Sequence, residues 1–133
     1  MRCSLTLAKT VGFLGILAII VLSLLPGSDR PHTGLPGKAE HFIAYCFTAS
    51  ALAFGFRSRA SWVVIAIGVT LLAGSMEILQ LWVPGRHSDI GDAFVSSLGG
   101  LLGIVLGGTP FWLKSDAALN RRRAAALADR ARR

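Results

Sequence analysis

Four apolar runs take up most of this 133-residue chain, and nearly every acid or base inside or beside them falls at one end of the resulting bundle. A run of about twenty apolar residues is long enough to cross a bilayer as a helix. Within hydrocarbon the backbone must satisfy its own hydrogen bonds, which a helix does unaided. A charged side chain at the middle of such a helix costs roughly 2.5–3.5 kcal/mol by insertion scales. Acids and bases close to membrane depth therefore need partners or a task. The composition agrees: 53% of the residues are hydrophobic and 16% charged, with a mean hydropathy of +0.58. A soluble domain of this length would be more polar. The length suits one domain without a separate soluble catalytic module.

The first span is predicted over about Leu5 to Leu25, with Lys9 free to snorkel to the interface. Arg2 and Lys9 ahead of an apolar run resemble a signal peptide. The run ends Leu24-Leu25-Pro26-Gly27, with no small-x-small cleavage site, so it reads as an uncleaved anchor. A Pro- and Gly-rich loop, Pro26 to Gly37, leads to a second span over about Lys38 to Phe56. Arg57 and Arg59 make a short basic turn. The third span, about Trp62 to Val83, carries Glu77 and Gln80 near its end and is stopped by Pro84-Gly85. The fourth begins near Ile90 and ends near Leu113. This divides the chain into a four-helix transmembrane domain, 1–113, and a basic tail, 114–133.

The net charge of +7 is uneven: seven of the fourteen basic residues follow Trp112. A basic stretch beside a span faces anionic cytoplasmic lipid, and no nucleic-acid fold or aromatic interleaving accompanies it, so nucleic acid is not expected as a partner. By the positive-inside rule the tail, Arg2, Lys9, Arg57 and Arg59 lie in the cytoplasm, against Arg30, Lys38 and Arg86 outside. The expected fold is thus an all-α membrane bundle of four transmembrane helices with both termini cytoplasmic. Of the two cysteines, Cys3 precedes the first span and Cys46 lies inside the second, which argues against a disulfide.

This topology brings three sequence-distant polar groups to one membrane face: Lys38, Glu40 and His41; Glu77 and Gln80; and Arg86, His87, Asp89 and Asp92. Lys38, His41 or Phe42, and Tyr45 share a helical stripe that suits an anion or a proton shuttle, or else an interfacial Lys and His with Tyr45 in an aromatic belt. Glu77 lies about six residues, roughly 9 Å, inside the end of its span. An ionised carboxylate there needs a partner or takes up a proton. Ser88 or Asp89 is expected to cap the fourth span, with Asp92 in its first turn. Asp92 continues along one face to Ser96, Gly99, Gly103 and Gly107, a closely packable stripe that serves within the chain or between copies. His41, Glu77, His87, Asp89 and Asp92 include metal-ligating types, but no ligand spacing such as H-E-x-x-H occurs, and neither a metal nor another cofactor is expected.

Together these residues resemble the VanZ-like family of small bacterial membrane proteins. The resemblance rests on Lys38, His41 and Tyr45 as Lys-x-x-His-x-x-x-aromatic, on Glu77 and Gln80 as Glu-x-x-Gln, on the Pro84-Gly85-Arg86 loop with Asp92 six residues later, and on the Gly-rich span from Gly99. It covers about Gly37 to Gly107. Gly37 stands where members commonly carry Asp, and Ser96 where they commonly carry Asn. The resemblance implies a multi-pass protein of the bacterial cell membrane, in a family whose founding members are linked to teicoplanin resistance.

The expected function is a polar pocket on the extracytoplasmic side that binds or acts on an envelope molecule, a lipid-linked cell-wall precursor or a lipid-tailed glycopeptide, with membrane lipid as its surroundings. Lys38, Tyr45, Gln80, Arg86 and Asp89 are the expected ligand-binding residues. Glu77, His41 and Asp92 are the candidate catalytic ones, with Glu77 as general base if there is a reaction. The alternative is a structural or interaction protein in which Glu77, Arg86 and Asp92 form an ion-pair lock between helices. A proton-coupled transporter is a weaker third reading, because apart from Lys9, which snorkels to the interface, no ionisable residue lies in the inner half of any span.

Overall fold

The computed structural model describes residues 2–29, 31 and 34–109. Arg30, the end of the fourth span near Leu113 and the basic tail lie outside the described residues. All regular structure within them is helical: α1 (Arg2–Leu24), a short 3-10 turn (Gly27–Asp29), α2 (Gly37–Gly55), α3 (Arg59–Gln80) and α4 (Ile90–Thr109).

Three of these helices, α1, α3 and α4, are long and apolar enough to cross a membrane. The polar first turn of α2, with Lys38, Glu40 and His41, sets it apart from them. Yet α2 is central to the packing. Its buried residues Tyr45, Thr48, Ala49, Leu52, Ala53 and Gly55 face inward. The core joins Tyr45 and Ala49 to Ile19 of α1 and to Val69 and Ala73 of α3. Large apolar side chains such as Phe13, Leu17, Phe47, Val64, Leu71 and Val105 remain exposed along the outside. In water such a surface would be an aggregation site; against lipid tails it is a matched one.

The glycine stripe of α4 packs within the chain. A Cβ at Gly99, Gly103 or Gly107 would meet the carbonyl oxygen of Phe42, Cys46 or Ser50 respectively. The pairing advances by four residues on both helices, so α2 and α4 run parallel in backbone contact. On its other side α4 runs antiparallel to α3, with Gly100 against Val69 and Gly108 against Trp62. α1 runs antiparallel to α2, Gly15 facing Thr48 and Gly12 facing Leu52. At the end where α1 begins, Lys9 Nζ lies 4.4 Å from the centre of the Phe56 ring, and Trp62 Nε1 donates to the Ala53 carbonyl at 3.0 Å, tying α3 to α2.

The helix ends have identifiable causes. Ser58 caps α3, its side chain accepting from the Ser61 N–H at 3.0 Å. α3 stops at Gln80, earlier than the expected Val83. Beyond it the chain tightens: Leu81, Trp82 and Val83 donate to carbonyls three residues back. Pro84 disfavours helix at the residue before it, and Gly85 takes a left-handed conformation, φ +72°. Asp89 rather than Ser88 caps α4, its Oδ1 accepting from Gly91 N–H at 2.8 Å. Cys3 and Cys46 are both free.

Candidate functional site

The C-terminal ends of α1 and α3 and the N-terminal ends of α2 and α4 meet at one end of the bundle. Gln80 Nε2 donates to the Ser23 carbonyl at 3.3 Å. Arg86 donates through Nε to the Leu25 carbonyl at 3.2 Å and through Nη2 to the Leu22 carbonyl. These are carbonyls of the last turn of α1 and its exit, groups that a helix cannot satisfy itself. Gly27 N–H donates to the Pro84 carbonyl at 3.1 Å, clasping the first loop to the third.

Behind this clasp, His41 of α2, Glu77 of α3 and Asp92 of α4 converge. Each offers one ligand atom, and all three atoms lie within 4.8 Å of one another. Glu77 is only 7% exposed. Its burial does not come from depth in the helix. With α3 ending at Gln80, Glu77 sits in the last turn, roughly 4.5 Å from the end rather than 9 Å. It is covered because the loop folds back over it: Glu77 Oε2 accepts from the Asp89 N–H at 2.9 Å, with the Ser88 hydroxyl 3.4 Å away. Asp92 Oδ2 lies 3.9 Å from His41 Nε2, too far for a hydrogen bond. Asp92 Oδ1 is buried with no hydrogen-bond partner.

Lys38 sits at the rim. Its ammonium is 2.9 Å from Asp89 Oδ2 and 3.9 Å from Asp92 Oδ1. The hydrogen bond from Lys38 and that from the Gly91 N–H hold the Asp89 carboxyl below its usual range. Gly91 leaves room for this pair, since a Cβ there would lie 2.8 Å from Lys38 Nζ.

Two cavities meet beside these residues, and Lys38, Glu77 and Asp89 line neither. A polar cleft of about 500 Å³ is bounded by Gly37, Glu40, His41, Gln80, Arg86, His87 and Asp92 among others. An apolar groove of about 510 Å³ runs down between α1 and α2, lined by residues such as Leu14, Ala18, Leu22, Ala44 and Phe47. Pro31, Glu40, His41 and Arg86 line both. Tyr45, placed on the Lys38–His41 stripe by its spacing, is 1% exposed in the core and lines neither cavity. The aromatic-belt position is therefore overturned: Tyr45 is in the core with Ile19 of α1 and Val69 and Ala73 of α3. Ser96 is buried on α4. Sequence reasoning gave Glu40 no role, and it missed the contribution of α1 altogether. α1 supplies backbone carbonyls and one wall of the groove, and neither leaves a polar signature in its sequence.

A helical membrane protein closed at one end over a polar cleft is the class that this fold and site define. A family model, VanZ/LLP1, matches residues 10–109, and the chain belongs to that family. No curated protein and no solved structure matches the chain.

Proposed function

We propose that the protein spans the bacterial inner membrane four times, α2 included, with both termini in the cytoplasm, and that its cleft opens on the extracytoplasmic side to bind an envelope amphiphile. The observation that carries this reading is the junction of a polar cleft with an apolar groove along a shared edge of Glu40, His41 and Arg86. A lipid-linked wall precursor or a lipid-tailed glycopeptide has that chemistry: an anionic or polar head for the cleft and a hydrocarbon tail for the groove. Lys38 and Arg86 supply positive charge to the head. Gln80 and His41 on the cleft wall supply donors and acceptors, Asp89 adds an acceptor at the rim, and Glu77, behind the wall, is the general base if the bound head reacts. A contribution to teicoplanin-type resistance would follow from sequestering or altering such a molecule.

The test is mass spectrometry of lipids copurified with the full-length protein, alongside antibiotic tolerance in cells. Ala18→Phe, which fills the groove, and Glu77→Gln, which alters the acid behind the wall of the cleft, should each remove the bound species. An unchanged lipid profile in both variants would refute the reading.

The hydrogen bonds from Arg86 to α1 favour, at that one residue, the alternative of a structural clamp. Melting separates the two. A clamp that includes Glu77 loses stability in Glu77→Gln, whereas a binding cleft loses little or gains, because the substitution removes a buried negative charge close to Asp92.

A further inference from the structure

We propose that His41, Glu77 and Asp92 form a binding site for one divalent first-row cation, Zn²⁺ or Mn²⁺. The proposal deepens the reading of the same cleft. Three helices each contribute one donor, and the set is an imidazole and two carboxylates, which suits these ions.

The separations are close to those around a bound ion. Two ligand atoms each about 2.1 Å from one tetrahedral ion lie about 3.4 Å apart. The three donor atoms lie within 4.8 Å of one another, so binding draws the widest pair in by about 1.4 Å at most, which side-chain rotations supply. His41 Nε2 and Asp92 Oδ2, at 3.9 Å, are about half an ångström wider than a shared ion would hold them.

A second observation points the same way. Asp92 Oδ1 is buried and makes no hydrogen bond, a costly state for a carboxylate oxygen unless something else occupies its lone pairs. Lys38, itself paired at 2.9 Å with Asp89, lies 3.9 Å from this oxygen, and the other oxygen of the same carboxylate, Oδ2, faces His41 at 3.9 Å. Two carboxylates as close as those of Glu77 and Asp92 repel each other in a protected site, and a dication between them reverses the sign of that interaction. Glu77 is also oriented as metal ligands commonly are. Its Oε2 is fixed by the Asp89 N–H and the Ser88 hydroxyl, outer partners that hold a ligand carboxylate in place.

Three protein donors leave coordination positions open. The polar cleft lies over them, since His41 and Asp92 are part of its wall. A cation there would add a Lewis-acidic contact for a phosphate or carboxylate oxygen of the bound head.

The test uses tag-free, full-length protein in detergent, stripped with a chelator. Metal content after dialysis against ZnCl₂ or MnCl₂, and calorimetric titration with each, should show one ion per chain, with a rise in Tm that EDTA reverses. The near-isosteric variants Glu77→Gln and Asp92→Asn should each weaken binding by about 100-fold or more, and Ser88→Ala by about 10-fold. Wild-type protein that binds neither ion stoichiometrically overturns the proposal, as do variants that bind as tightly as wild type. The lipid measurement is independent. Wild-type protein that carries lipid but takes up neither ion overturns this site and leaves the cleft reading standing, whereas wild-type protein with one bound ion and no lipid supports the site and sinks the cleft's amphiphile.

Discussion

Gly103→Ala is the sharpest probe of the arrangement that builds the site. A methyl group at Gly103 would overlap the Cys46 carbonyl oxygen, and against an ordinary contact of about 3.5 Å the overlap exceeds about 1 Å. Both partners are helix backbone, so no side chain can rotate away, and only separation of α2 from α4 relieves it. Overpacking of this kind costs about 1–3 kcal/mol. Alanine returns roughly 0.5–1 kcal/mol through its better helix propensity, leaving a net loss on the order of 1–2 kcal/mol. For a chain of this size that lowers Tm by on the order of 5 °C. Gly74→Ala in α3 is the matched control. A Cβ there meets nothing within 4 Å, so the same substitution should raise Tm by a few degrees through propensity alone. Tryptophan-fluorescence melts of both variants in one detergent read the two signs directly. Gly103→Ala melting at or above the parent would refute backbone contact between α2 and α4, and with it the mechanism that brings His41 to Asp92.

Three further outcomes are expected. Arg86→Ala removes two bonds to the end of α1 and should cost about 1–3 kcal/mol in melts; Arg86→Lys should recover only part of this, since an ammonium lacks the fork that reaches two carbonyls. Ser58→Ala should cost about 1 kcal/mol by uncapping α3, with no effect on lipid or metal binding at the opposite end of the bundle. The Asp89 carboxyl, held below its usual range by Lys38 and the Gly91 N–H, contributes stability that is present above the unfolded carboxyl pKa and is lost as pH falls through the lower folded value. Melts between pH 2 and pH 6 should therefore show a steeper acid loss in the parent than in Asp89→Asn, which keeps a capping oxygen but no titrating group; identical slopes would remove Asp89 from the account.

The convergence of polar groups at one end was legible in the sequence because it follows from alternation. Helices that reverse direction at each loop bring the end of one and the start of the next together, so His41, Glu77 and Asp92 could be assigned a common end before any contact was known. The stripe of Gly99, Gly103 and Gly107 was legible too, but not its partner: small residues state that something approaches closely without stating what. α2 supplied the answer, and it supplied it from the carbonyls of Phe42, Cys46 and Ser50, atoms every residue possesses. The same limit explains α1, whose role at the site runs through the carbonyls of Leu22, Ser23 and Leu25. The depth of Glu77 was misjudged for a different reason. Apolar character continues through Leu81, Trp82 and Val83, but helical hydrogen bonding does not, because Pro84 and the left-handed Gly85 impose the turn from downstream. Burial of Glu77 is consequently a property of the loop that folds over it, through the Asp89 N–H. That loop also carries the cap of α4 and the partner of Lys38. One nine-residue connection thus encloses the acid, starts the helix that delivers Asp92, and sets the rim charge, so perturbing Ser88 or Asp89 tests the chamber as directly as perturbing the three residues inside it.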